Sequence, residues 1–276
     1  MTVTLITGTS SGIGLETAVQ AAVAGHTVVA TMRDLGKADA LRAAAASADV
    51  SIDIRRLDVT DAGSIASCIA EVVAHHGSID ALVNNAGAGH VGTIELESID
   101  EVRSTMEVNF FGVVAMTKAA MPHLRASAGR VVTVTSVGGV VGQPFNEAYC
   151  AAKFAVEGFM EALAPVAGAV GVRVTVIEPG AVGSEFISNV GIDVPALIEA
   201  AGPYGTALGN YLERTAGAFS TAQTSADAAA AIVATLLAES PAFRVQTSET
   251  ARNFIAPKLA DLDGSAIIGA TSRWVG

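Results

Sequence analysis

Residues 3–14 read VTLITGTSSGIG. A five-residue run of β-branched and apolar side chains leads straight into a glycine-punctuated turn. From Gly12 the pattern becomes helical and runs to about Ala24, where Gly25 stops it. A strand feeding a helix through such a turn is the first half of a βαβ unit. Glycines let the turn close tightly, and they let backbone N–H groups at the helix start approach a pyrophosphate. The spacing is G-x-x-x-G-x-G rather than the G-x-G-x-x-G of the standard dinucleotide fingerprint. On these residues alone, a purely structural turn stays open.

Outward from this stretch the alternation repeats. Strands are predicted at Thr27–Met32, Ser51–Leu57, Ile79–Asn84, Arg130–Thr135, Val172–Glu178 and Phe243–Thr247. Helices are predicted over Lys37–Ala46, Asp61–His76, Ala148–Ala169 with a kink at Pro165, and Ser225–Glu239. A long helix over Ile99–Ser127 should bend near Pro122, and a short one should cover Ser248–Leu259. Strands alternating with helices imply right-handed crossovers and a parallel sheet covered on both faces. The expectation is one α/β domain over residues 1–276, a doubly wound Rossmann fold with a sheet of about seven strands. Residues 180 to about 224 break the rhythm with Gly, Ser, Ala and Thr, and are too long for an ordinary connection. Residues 181–224 are therefore a candidate substrate lid. The last dozen residues read as irregular.

Composition narrows the function classes. The 276 residues are 51% hydrophobic and carry a net charge of −11, which argues against nucleic acid or an anionic membrane as a partner. Any phosphate must then be held by local amides or by one or two placed cations. Cys68 and Cys150 are the only cysteines, so no disulfide framework exists and a reducing, cytoplasmic setting is expected. The N-terminus MTVTLITG lacks a basic, signal-like start, and Ala228–Ala238, the longest apolar run, is too short to span a bilayer. The histidines, His26, His75, His76, His90 and His123, show no metal-ligand spacing, and no metal is expected. His75 and His76 suit the end of a helix through its dipole.

In an open parallel sheet, ligands bind outside the carboxyl ends of the strands. The residues just past those ends are polar or glycine: Gly8–Gly14, Arg33 and Asp34, Asp58 and Val59, Asn84 to Gly87, Ser136, and Pro179-Gly180. The segment YCAAK, residues 149–153, follows the fifth strand. Tyr149 and Lys153 share a helix face at i and i+4. A free phenol has a pKa near 10, and useful acid–base chemistry near neutrality wants it about three pH units lower, roughly 4 kcal/mol. A cation within about 4–6 Å favours the phenolate. Lys153 is placed to be that cation.

Together TGTSSGIG (7–14), NNAG (84–87), Asn109 in VNFFG, Ser136, YCAAK (149–153) and EPG (178–180) resemble the short-chain dehydrogenase/reductase family in order and spacing. The resemblance covers nearly the whole chain. It implies hydride transfer between a nicotinamide and a carbonyl or alcohol, without a metal. It assigns Asn109, Ser136, Tyr149 and Lys153 to catalysis. Tyr149 exchanges the proton and Ser136 meets the substrate oxygen. Lys153 bonds the nicotinamide ribose, and Asn109 holds a water in a proton relay, with local backbone stabilisation as the alternative. The implied cofactor contacts are Gly8, Ser10, Ser11, Gly12, Ile13 and Gly14 on the phosphates. Asp58 and Val59 would meet the adenine, and Asn85, Ala86 and Gly87 would line the floor. Pro179, Gly180, Val182 and Ser184 would meet the nicotinamide, with Ser184 standing where the family usually has threonine.

Strand two ends ATMRD. Met32 takes the position where a carboxylate would bond a ribose 2′-OH, and Arg33 follows with a fork suited to a 2′-phosphate. NADP is therefore expected over NAD, unless Asp34 faces the ribose instead. The segments ATMRDLGKADAL and FRVQTSETARNFIAPKLADLDGS further resemble the branch of estradiol 17β-hydroxysteroid and retinol dehydrogenases. That implies a bulky, lipophilic ketone or alcohol. Phe145, Phe186, Ile187, Ile192, Val194, Leu197, Ile198, Leu208 and Phe219 are candidates to line its pocket. The resemblance also implies a homodimer or homotetramer built through the helices carrying Asn109 and Tyr149. A catalytically silent nucleotide sensor on the same fold would be expected to lack the tyrosine or the lysine. This chain has both.

Overall fold

The computed structural model describes residues 2–183, 194–220, 222–261, 263 and 265–274. Seven strands, all parallel, form the main sheet. They are β1 (Val3–Thr7), β2 (Thr27–Met32), β3 (Asp53–Arg56), β4 (Ala81–Asn84), β5 (Arg130–Val134), β6 (Arg173–Glu178) and, later in the chain, β9 (Arg244–Gln246). Two short strands, β7 (Val182–Gly183) and β8 (Gln223–Thr224), pair separately. The main order is β3-β2-β1-β4-β5-β6-β9. The chain reverses its direction of travel across the sheet between β1 and β4, which opens a crevice at their carboxyl ends.

Consecutive strand residues serve opposite faces. Leu5, Leu82, Val131 and Val176 point into one core, and their successors Ile6, Val83, Val132 and Ile177 point into the other. The first core is closed by α3 (Ala62–His76), α5 (Gly112–Ala126) and α6 (Glu147–Gly168), through Ile65, Met116, Val156 and Met160 among others. The second is closed by α1 (Gly12–Val23), α2 (Asp39–Ser47) and α9 (Ser225–Leu237), through Ala18, Leu41 and Ile232. Leu5 and Ile6 are both fully buried. Each such side chain stabilises the fold by about 1.5–3 kcal/mol over exposure. This is why the strands read as continuous apolar runs.

Several elements depart from the sequence reading. The predicted helix at Lys37 begins only at Asp39, because Asp34 Oδ1 accepts from Gly36 N at 2.9 Å and caps a separate 3₁₀ turn over Leu35–Lys37. The helix expected over Ile99–Ser127 is α4 (Ile99–Met106), a π-turn (Glu107–Phe111) and α5. The interruption lies well before Pro122 and has a local cause. Asn109 Nδ2 donates to Thr105 O at 3.0 Å, taking the carbonyl that its own backbone would bond in an α-helix. The stretch expected to be irregular holds α7 (Val194–Ala200) and α8 (Gly205–Ser220), and the C-terminal segment holds α11 (Ser265–Ser272) after α10 (Glu249–Ile255). The helix α6 continues through Pro165 to Gly168.

Candidate active site

The glycine turn is latched to the turn after β4. Asn85 Nδ2 donates to the carbonyls of Thr7 (3.0 Å) and Gly8 (2.9 Å), while Thr7 Oγ1 accepts from Asn85 N (3.0 Å) and Ala86 N (2.9 Å). Gly8 has φ +72°, and a Cβ there would stand 2.7 Å from Ala86 Cα. A Cβ on Gly14 would collide with Gly8 O and Asn85 Nδ2. Only glycine fits either place. Ser11 is the N-cap of α1 but its side chain makes no capping bond, so the first N–H groups of α1 are left for a ligand. Asn84 has a different job: its amide bonds Thr117 and Thr133 inside the core.

The groups past the other strands gather beside this turn. Arg33 is exposed on the wall, whereas Asp34 is committed to its cap. Asp58 accepts from Thr60 N (3.0 Å) and Thr60 Oγ1 (2.7 Å), and these bonds hold its carboxyl below the usual range. Val137 N bonds Pro179 O at 2.9 Å, fixing the turn after β5 against the turn after β6.

Ser136, Tyr149 and Lys153 stand together as expected. Ser136 hydrogen-bonds the Tyr149 phenol, and its Oγ accepts from Gly138 N at 3.0 Å. Lys153 Nζ lies 5.7 Å from the Tyr149 ring centroid and donates to Val134 O at 3.2 Å. The charge logic differs from the sequence expectation. Burial pushes the phenol up to about 12, with Ser136 opposing, and burial pushes Lys153 down to about 8, with Glu157 opposing. In the protein's own field desolvation governs the phenol, which is held neutral.

Glu157 lies a further turn along α6, is 5% exposed, and is pushed up to about 7 by burial. It accepts from Thr135 Oγ1 at 2.5 Å and pairs with Arg244 at 3.3 Å, which also reaches buried Glu178 at 3.3 Å. This acid network beneath the lysine was not legible, since Arg244 and Glu178 come from distant strands.

Asn109 is fully buried behind the wall. It exchanges bonds with Ala88 (Nδ2 to O, 3.0 Å; N to Oδ1, 3.2 Å) as well as with Thr105. A Cβ on Gly87 would stand 2.9 Å from Asn109 Oδ1 and 3.6 Å from Lys153 Nζ. The glycine therefore lets the asparagine and the lysine approach one another.

One cavity of about 1480 Å³ runs along this edge. Gly8, Ser10, Ser11, Gly12, Ile13, Gly14, Arg33, Asp58, Val59, Asn85, Ala86, Gly87, Ser136, Tyr149, Lys153, Pro179, Gly180 and Val182 all line it. Ser184, Phe186, Ile187 and Ile192 lie outside the described residues. Of the other expected pocket residues, Phe219 lines the cavity. Phe145 and Leu208 form a small core with Tyr211, Leu197 and Ile198 pack against that core, and Val194 is exposed. Sequence reasoning missed Gln143, Asn146, Tyr211, Arg214, Phe254 and Trp274, which line the far wall. Both cysteines are buried and free, their thiols pushed up to about 11 by burial. Away from the cavity, Asp53, His75 and His76 bring potential ligand atoms within 4.8 Å of one another, a closeness their spacing conceals. Asp53 Oδ2 already accepts from Arg55 (2.8 Å) and meets His76 Nε2 at 2.9 Å.

The doubly wound sheet, the latched glycine turn and the serine–tyrosine–lysine cluster define a class of nucleotide-dependent oxidoreductase. A model of the short chain dehydrogenase family matches residues 2–194. Human retinol dehydrogenase 8 is 38% identical over 98% of this chain and 88% of its own length. Human 17-beta-hydroxysteroid dehydrogenase type 1 is 36% identical over 99% and 86%. A 3-ketodihydrosphingosine reductase of Bacteroides thetaiotaomicron is 37% identical over 67% of this chain and 65% of its own, just under two thirds of that length. A short-chain dehydrogenase from Streptomyces avermitilis superposes with a TM-score of 0.78 at 32% identity, covering 99% of this chain and 97% of that one. The chain belongs to the short-chain dehydrogenase family, oxidoreductases acting on alcohol or carbonyl groups with a nicotinamide cofactor. Among the described residues no helix is long and apolar enough to cross a membrane.

Proposed function

We propose that the protein is an NADP(H)-dependent reductase of a bulky, lipophilic ketone, or dehydrogenase of the matching secondary alcohol. The observation that carries this reading is one cavity joining the open N-terminus of α1 to Ser136, Tyr149 and Lys153. The names of the relatives, a retinol, a hydroxysteroid and a ketosphingoid enzyme, agree on bulky apolar substrates.

The residues fit a dinucleotide. Gly8 and Gly14 leave a cradle that a Cβ would fill, and α1 offers uncapped amides to the pyrophosphate. Arg33 is free to meet a 2′-phosphate while Asp34 is held by Gly36, which favours NADP. Asp58 and Val59 would take the adenine. The reduced cofactor, when bound, supplies a hydride to the carbonyl carbon. Tyr149 gives its phenolic proton to the oxygen, and the neutral phenol is the form that reduction needs. Ser136 donates to the same oxygen as charge develops there. Lys153 in its charged form steadies the phenolate left behind. Asn109 acts as a positioning residue that ties the π-turn to Ala88 beside the lysine, and a relay water would sit on its Oδ1 side.

The test is oxidation of NADPH and of NADH with a panel of lipophilic ketones. NADPH should be preferred. Arg33→Ala should weaken NADPH by about 10- to 100-fold, the range of a charge-assisted bidentate contact, and NADH by much less. Equal loss for both cofactors would remove the NADP assignment.

A further inference from the structure

The far wall of the cavity carries one charge that the hydride chemistry does not use. Among the described residues three lysine or arginine side chains line the cavity, Arg33, Lys153 and Arg214. Arg33 belongs to the turn after β2, and Lys153 is buried and bonded to Val134 O. Arg214 stands on α8. Its guanidinium lies 4.4 Å from the Trp274 ring centroid, and Trp274 stacks on Phe254 at 5.8 Å and 29°. The three side chains form a stack of cation, indole and phenyl along one wall.

The stack holds the guanidinium plane while leaving its edge free. Arg214 makes no ion pair with a described residue. Among the described residues the acids that line the cavity, Asp58, Asp100 and Glu107, come from the turn after β3 and from the α4 region, and none comes from α8, α10 or the C-terminal segment. The neighbouring Glu213 lines an outer cleft with Arg273, and Arg214 and Trp274 stand between that cleft and the cavity, lining both. Tyr211, one turn before Arg214, bonds Asn146 at 2.5 Å, and Asn146 is three residues from Tyr149. The cavity wall thus runs from the reacting end to Arg214 on α8, with Leu212 and Phe219 of the same helix and Phe254 of α10 lining it too.

We propose that Arg214 is an anion subsite, and that the substrate is an apolar ketone, or its alcohol, carrying a carboxylate at the end remote from the reacting carbon. This rests on the ketone-reductase reading above. In a chain of net charge −11, a carboxylate substrate needs such a local cation, and a planar carboxylate matches the guanidinium fork.

The experiment uses oxo-octadecanoic acids that differ in ketone position, each beside its methyl ester, with neutral steroid ketones as controls, all at saturating NADPH. The acid should exceed the ester in kcat/KM by about 10- to 100-fold, the range of a charge-assisted contact. That ratio should collapse towards one in Arg214→Gln, recover in part in Arg214→Lys, and shrink with added salt. NADPH titration of each variant reports its fold. Equal turnover of acid and ester overturns the subsite, as does an Arg214→Gln loss that is the same for both, which would mean that Arg214 only anchors Trp274. Reduction of neutral ketones with no acid reduced also overturns it and leaves the reductase reading intact. If no ketone is reduced while NADPH binds, both fall.

Discussion

Tyr149 and Lys153 show how one helix face sets a reaction's pH window. Lys153 is pushed down to about 8, so its ammonium is present below that pH and lost above it. If the ammonium steadies the phenolate that forms on Tyr149, kcat/KM for ketone reduction should be flat below about pH 7 and fall about tenfold per pH unit above about 8. A rate profile across that range checks this. A profile that rises through pH 8 would mean that the uncharged amine is the working form. The sequence shows the pair but not its field. From YCAAK alone the lysine is expected to acidify the tyrosine, yet burial in the folded protein raises the phenol to about 12. Glu157 is hidden for a related reason, since its partners Arg244 and Glu178 are unreadable from α6.

At the scale of elements, the strand–turn–helix units were legible because each boundary has a local cause. The bounds of β1 and β2 match the β-branched runs, and α3 starts where Asp61 accepts from Gly63 N and Ser64 N. The π-turn was not legible, since it depends on Asn109 turning its amide back onto Thr105 O. The helices α7, α8 and α11 were missed for another reason. Glycine and alanine blur their periodicity, and the buried stripe of α8 is short, Gly205, Leu208 and Tyr211. The glycine turn yields a sharp prediction at this scale. Gly14→Ala places a methyl group into Gly8 O and Asn85 Nδ2 and must break the latch between two turns. A loss of about 2–4 kcal/mol in urea unfolding is expected, with NADPH affinity reduced at least tenfold. An unchanged melting curve and affinity would show that the latch does not hold the turn.

The whole molecule collects its chemistry at one sheet edge. The candidate cofactor contacts among the described residues could be proposed from the sequence because most lie in a turn at the carboxyl end of a strand, at the start of α1, or on the helix that carries Tyr149 and Lys153. The far wall of Tyr211, Arg214, Phe254 and Trp274 was not, because it is assembled from α8, α10 and the C-terminal segment. On the outside, Phe111 (49% exposed) and Phe154 (39%) lie in the π-turn and in α6, on the helices through which we propose that copies associate. Sedimentation velocity should find a dimer or tetramer, and Phe154→Asp should shift it towards monomer. A wild-type monomer at micromolar concentration would contradict this. The most direct measurement is NADPH-dependent ketone reduction by Tyr149→Phe, read beside its NADPH dissociation constant. We predict a fall in turnover of about 10²–10⁴-fold, the range of a lost general acid, with cofactor affinity within about threefold of the parent, about 0.65 kcal/mol. Turnover near the parent rate would contradict the claim that this phenol delivers the proton.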